Sequence, residues 1–396
     1  MKNRRMITIV AVCLWVLSAS AQRKQIGDAR TILKSGKDFA KAEQLMTDLL
    51  KDSANRDNKR IYEIWLQSVE RQYAQVNEKF YMKQEQDTSH FYGLARRMYT
   101  IAVRLDSLDA RPDKKGRVEP ELRREVASQM MSVRPNLFSG GGYFLRKEMF
   151  QQAYDMFETY LDFSRQPLFT GYDFSVGADR RMAEAAYWAT YSGFRMNQPV
   201  LTLRHRELAL CDSAKRDWTL QYVAESWYQL KDDSMYVSTL EKGFAEFPRS
   251  PYFFPRLMDY YTRMGSQDEA LRVVDYALAA DSLNQLYLYA KSNVLLQAER
   301  FAESLSYTDK LIALNPSHAD AHYNGGTAYL NIALRMDPQR HKKQIRKMYQ
   351  KALPYMEKYR QLAPAEKQKW GPALYRIYFN LNMGKQFDEI DKILKK

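Results

Sequence analysis

A chain of 396 residues that is 45% hydrophobic is long enough to bury a core by packing alone. Its 61 Lys and Arg against 47 Asp and Glu give a net charge of +14, but the charges are dispersed and interleaved, which describes a solvated surface rather than a nucleic-acid footprint. Beyond the first residues no apolar run approaches the ~20 needed to span a bilayer, and two cysteines, Cys13 and Cys211, exclude a disulfide framework.

Residues 1–21 read as a cleaved secretory signal. Lys2, Arg4 and Arg5 form a basic start, Met6–Leu17 is apolar apart from Thr8, and Ser18-Ala-Ser-Ala21 supplies the small residues of a cleavage site. The mature chain is expected to begin at Gln22 and to lie in the periplasm or outside the cell. Four further apolar residues follow Cys13, which argues against a lipid anchor there. Residues 22–133 read as a helical region of divergent repeats. Phe39–Leu49 and His90–Ala102 have the pattern of second helices in helix pairs, the latter after a long insertion, and Pro112-Asp-Lys-Lys-Gly116 marks a loop.

Residues 134–396 read as a repeat array. Gly140-Gly-Gly142 interrupts a helical pattern at a cost of about 1 kcal/mol per glycine. Phe150–Tyr160 supplies a second helix with Ala153 and Phe157 in phase, and a linker follows around Pro167–Phe174. From there a period of 34 residues holds. Gln267–Ala277 is echoed by Phe301–Leu311, Ala270 falls in phase with Ser304, and Tyr261 with Leu295. Repeat starts at Ala183, Asp217, Pro251, Gln285 and Ala319 keep this register. In the copy beginning at Ala319 the small residue of the second helix, Ala352, arrives 14 residues late. Asp337-Pro338 offers a cap and first turn, so both helices are expected to run about two turns longer around 335–348. That added piece is rich in Arg and Lys. Pro354 is expected to bend its helix, and a truncated final repeat begins near Gly371.

At Leu314-Asn-Pro-Ser-His-Ala-Asp-Ala-His-Tyr-Asn-Gly-Gly-Thr-Ala-Tyr329 the sequence resembles the tetratricopeptide repeat family, with Gly326 and Tyr329 on the family's glycine and tyrosine positions. Met258 and Ser292 stand where the glycine belongs, and Ser282 replaces a closing proline. The resemblance implies an all-α fold, a right-handed α-solenoid of stacked antiparallel helix pairs. Gly140-Gly141 and Gly325-Gly326 are 185 residues apart, five periods plus the 15 of the linker. Both pairs thus take the same place in a first helix, as packing contacts and not as a phosphate loop, since no Gly-Lys-Ser/Thr follows.

The resemblance also implies a non-catalytic scaffold in the cell envelope, holding a protein or peptide, with acidic segments suited to the basic balance, on a concave face. Carrying over the family's inward positions gives Tyr187, Tyr191, Phe194, Gln221, Glu225, Tyr228, Asp259, Arg263, Tyr289, Asn293, Tyr323, Asn324 and Thr327. A clamp for a peptide carboxylate would draw on Asn293, Asn324 and Arg376, although Tyr289 replaces its lysine. No cofactor, metal or nucleic acid is expected. His318 and His322 have a zinc-compatible spacing but no third ligand, and Cys211 is expected as a buried, inert thiol. The alternative is a carbohydrate-active enzyme or glycan-binding protein on a helical toroid, drawing on Trp188, Trp218, Trp227, Glu184 and Glu225.

Overall fold

The computed structural model describes residues 22–395, so the expected signal at 1–21 lies outside the described residues. No strand occurs among the described residues. The chain forms two compact units, Met1–Asp233 and Ser234–Lys396. The first contains α1 (22–35), α2 (Phe39–Leu49), α3 (Lys59–Tyr81), α4 (Thr88–Asp109), α5 (Arg123–Arg146), α6 (Phe150–Asp162), α7 (Arg181–Arg195), the short α8 (Pro199–Arg204) and α9 (Arg206–Ala209), and α10 (Arg216–Gln229). The second contains α11 (Asp233–Glu246), α12 (Phe253–Arg263), α13 (Gln267–Ala280), α14 (Gln285–Gln297), α15 (Phe301–Leu314), α16 (Ala319–Leu334), α17 (Lys342–Leu362), α18 (Lys367–Leu381) and α19 (Gly384–Leu394).

The in-register starts coincide with helix starts: α10, α12, α14 and α16 begin within two residues of Asp217, Pro251, Gln285 and Ala319. The N-terminal region loses the register for a simple reason. Helices α3, α4 and α5 have 23, 22 and 24 residues, against 11 to 14 in α12 to α15, so each pair is stretched. The expected long insertion before His90 is thus helix, not loop. The connection at 163–180 is packed as well. Phe163 and Phe169 stack at 4.2 Å, and the buried Arg134 guanidinium pairs with Asp179 at 2.7 Å while lying 3.6 Å from the Tyr160 ring centre.

One contact recurs through both units. A Cβ on Gly141 would lie 2.4 Å from Phe157, and one on Gly326 would lie 2.7 Å from Met356. Ser292, on the same position as Gly326, touches Thr308 through hydroxyls 2.7 Å apart. Phe157, Thr308 and Met356 each follow the small residue of their second helix, Ala153, Ser304 and Ala352, by one turn. The helix crossing is therefore the same in all three pairs. In the α16–α17 pair it survives a 14-residue insertion, which is absorbed by a seven-residue connection (335–341) and by α17, two turns longer than α15. Helix α16 gains less than a turn over α14, and Asp337-Pro338 falls in the connection, so the expected equal extension of both helices and the expected cap are corrected. Pro354 sits inside a continuous α17.

The turns inside the pairs share a second device that the sequence did not announce. Lys83, Glu148, Asn197, Lys231, Gly265, Glu299 and Asn382 all have φ between 55° and 67°. Each is followed by a residue whose N–H bonds the carbonyl five residues back, for example Asp232 to Trp227 at 3.0 Å and Ser266 to Tyr261 at 2.9 Å. This is the Schellman ending, which glycine fits best. Only Gly265 is glycine; the other six carry side chains in a left-handed conformation that costs ~1–2 kcal/mol per residue.

Two sets of stability outcomes follow, each read from thermal or urea unfolding followed by circular dichroism. Gly141→Ala should destabilise by ~1–3 kcal/mol, because the buried Phe157 ring cannot retreat. The adjacent Gly142→Ala, whose new methyl would meet only Arg146 at 3.6 Å, should stabilise by up to ~1 kcal/mol. Lys231→Gly should stabilise by ~0.5–1 kcal/mol once glycine's added chain entropy is set against the relieved strain. Gly265→Ala should destabilise by a similar ~1 kcal/mol.

Candidate partner-binding face

The helix crossing decides which side chains remain available. Thr190, Ala224, Met258, Ser292 and Gly326 recur every 34 residues on first helices and all are buried. The residue after each, Tyr191, Glu225, Asp259, Asn293 and Thr327, is half-buried or exposed in every case. A helix turns about 100° per residue, so the next side chain along swings out of the crossing. These five belong to the expected inward set, and they are the side chains that packing leaves over.

In the first unit α7 and α10 carry an aromatic cluster. Tyr222 lies at its centre, with Phe194 stacked at 4.5 Å, Tyr191 at 5.8 Å, Tyr187 at 6.3 Å and Trp218 at 6.4 Å. Trp188 joins through Tyr191 at 5.8 Å. Two cations border it. Arg195 donates to the Tyr191 hydroxyl at 2.6 Å and lies 4.3 Å over Phe150, and the Lys215 ammonium is 5.7 Å from the Tyr187 ring. Burial pushes the Tyr187 and Tyr222 hydroxyls up, so both stay protonated at neutral pH. Tyr191 and Phe194 are half-buried, and Trp218 is 53% exposed. Gln221 is half-buried and donates to Asp217 at 3.0 Å, Glu225 is half-buried, and Tyr228 is exposed. Tyr187 is only 5% exposed, so its expected role in contact is corrected to packing.

Sequence reasoning missed Tyr222 and Trp218 as members of this face. The available signal was that Trp188 and Tyr222 stand one period apart, so two successive first helices present aromatics from one register position. The tryptophans of the alternative reading do not gather. Trp188 and Trp218 join the cluster, and the Trp188 indole donates to Glu184 at 3.4 Å, whereas Trp227 lies under the Arg206 guanidinium at 5.5 Å.

In the second unit Asp259 and Arg263 are exposed on α12, Asn293 is half-buried on α14, and Thr327 is half-buried on α16. Tyr323 packs its ring 5.0 Å from Tyr359, and Tyr289 lies 5.4 Å from His318. Asn324 is a correction. It is 3% exposed, and its amide donates to Ser292 Oγ at 3.3 Å within a buried group that also holds Ser304 and Thr308. It sits one residue off the Tyr323 position, and that step turns it into the helix interface. A carboxylate clamp that needs this amide is therefore not assembled.

Both candidate metal histidines serve the start of α16. The His318 Nδ1 accepts from the Ala321 N–H at 3.2 Å, and the His322 ring donates to the Pro316 carbonyl at 2.9 Å. No group of three or more potential metal ligands occurs among the described residues. Cys211 is also corrected. Helix α9 ends at Ala209, so Cys211 falls in the following turn and is exposed.

Asn324→Ala should lower stability by ~1–3 kcal/mol, since it leaves buried hydroxyls short of a partner. Asp259→Ala, on the exposed side, should stay within ~0.5 kcal/mol of the parent in the same urea titration.

No family model and no curated protein matches the sequence. Solved structures resemble it in part. The C-terminal part of a TPR repeat-containing protein from Cytophaga hutchinsonii is 12% identical, covering 64% of this chain and 93% of that one, with a TM-score of 0.43. YrrB, a TPR protein with an unusual peptide-binding site, is 16% identical over 48% of this chain and 91% of that one, with a TM-score of 0.35. PilF of Pseudomonas aeruginosa is 14% identical over 61% and 94%, with a TM-score of 0.32. Scores this low decide nothing by themselves, whereas the recurring crossing, the recurring turn and the 34-residue period are properties of this chain. Within each unit it is an all-α array of divergent tetratricopeptide-like helix pairs.

Proposed function

We propose that the protein is a non-catalytic interaction scaffold that holds a segment of a partner protein against the side chains its helix crossings leave over. The observation that carries this reading is the column Tyr191, Glu225, Asp259, Asn293 and Thr327, which stays accessible in every in-register repeat while the preceding residue is always buried. Side chains spared by packing at regular intervals suit an elongated ligand better than a small substrate.

The aromatic cluster of the first unit is the proposed anchor. Tyrosine and tryptophan offer large contact area with little rotamer entropy to lose. Arg195 and Lys215 beside them favour a segment that brings carboxylates along with apolar side chains. The same proposal puts the scaffold outside the cytoplasm, in the periplasm or beyond the cell, on the basic, apolar and small-residue order of residues 1–21.

The test is recovery of cross-linked partners from an envelope extract with the mature chain as bait, its N-terminus expected at Gln22. Tyr191→Ala combined with Trp218→Ala should reduce recovery of the principal partner by about tenfold or more. Glu303→Ala, a substitution of an exposed residue on the second helix α15, should leave it unchanged. Equal recovery with all three baits would remove the aromatic cluster as the anchor.

A further inference from the structure

The elongated α17 leaves half of a helix–helix contact open. Lys342, Ile345, Arg346 and Tyr349 follow an i, i+3, i+4, i+7 spacing, which makes them one stripe of its first two turns. Opposite them stand the end of α18 and the start of α19, with Phe379, Asn380, Asn382, Met383 and Phe387. Between the two walls runs an open groove of about 860 Å³. Its base is apolar: Tyr349 and Tyr378 are buried, and Ile345, Met383 and Phe387 are half-buried. Phe379 is 65% exposed and lies 5.8 Å from Phe387 ring to ring.

The charge around this groove has one sign. Lys342 and Arg346 line it, and no carboxylate does. Lys343 and Lys347 stand on the same two turns, and none of these four cations has an ion pair among the described residues. Elsewhere the chain pairs its exposed cations readily, as in Arg335 with Glu299 and Arg360 with Glu389. The unpaired set is unfavourable for the helix itself. Lys342 and Arg346, and Lys343 and Lys347, are like charges four residues apart, and all four lie at the end where the helix dipole opposes cations.

We infer that this groove docks an acidic amphipathic helix of a partner protein, its apolar stripe against Ile345, Phe379, Met383 and Phe387 and its carboxylates toward Lys342 and Arg346. Such a helix completes the contact that α17 leaves half made, and its charge removes the repulsion stored in the first two turns. A bare phosphate or a nucleic-acid backbone would use the cations but not the apolar base. This surface lies wholly within the second unit and does not depend on the aromatic cluster.

Fluorescence anisotropy with the mature chain tests it. The probe is a labelled Glu/Leu/Ala peptide of about 18 residues, long enough to form helix, with Leu at i, i+3, i+4 and i+7. Its scrambled isomer and a Lys-for-Glu analogue serve as comparisons. The amphipathic acidic peptide should bind saturably and at least about tenfold more tightly than either. Lys342→Glu with Arg346→Glu should weaken it by about tenfold or more, and Phe379→Ser should weaken it while thermal unfolding stays unchanged. Tyr191→Ala should have no effect, which separates failure here from failure of the proposed anchor. Equal binding of the scrambled isomer, indifference to the charge reversal, loss on Tyr191→Ala, or sedimentation with phosphatidylglycerol vesicles in place of peptide binding would each overturn the inference.

Discussion

Everything in this fold depends on how closely one helix of a pair can cross the other. Where Gly141 meets Phe157 and Gly326 meets Met356, there is no room for even one added carbon. That single constraint selects a small residue on the first helix and places a larger one a turn beyond the small residue of the second. Because each pair is built the same way, the constraint returns at a fixed interval. The side chain after the small residue is turned away from the crossing, so the accessible column is a geometric consequence of the packing.

The crossing can be met in more than one way. At Ser292 it is polar: hydroxyls from Ser304 and Thr308 and the Asn324 amide satisfy one another inside the interface. Buried polar groups of this kind hold a unique arrangement only while every member has a partner. The α16–α17 pair shows the converse freedom. Its crossing is kept while the far ends of the helices and the turn change, so an insertion was tolerated as an overhang instead of a register shift. Six side chains held at positive φ show that the turns are also set by the pairs and not by local preference.

The regular part of the fold was legible because close crossings restrict residue size, and Gly326, Ala270 and Ser304 record that restriction at matching intervals. The start of α14 at Gln285 and of α16 at Ala319 could be read from it directly. The N-terminal region was less legible because α3, α4 and α5 lengthen together, which keeps the packing but abolishes the interval. Of the candidate site, the column from Tyr191 to Thr327 followed from register alone. Asn324 and Tyr187 did not: whether a side chain one step to either side meets solvent or a neighbouring helix depends on what that helix carries. Cys211 was misplaced because α9 stops two residues before it, and no proline or glycine marks that stop.

The central claim is that a 34-residue helix pair, locked by one crossing, is the unit of construction. Excising residues 285–318, one full interval containing α14 and α15, tests it most directly by circular dichroism and urea unfolding. The account predicts that the shortened chain keeps its helicity per residue and a cooperative transition, whereas excising 285–308, which removes the same start but breaks the interval, loses both. Comparable collapse of the two deletions, or comparable survival, would contradict it.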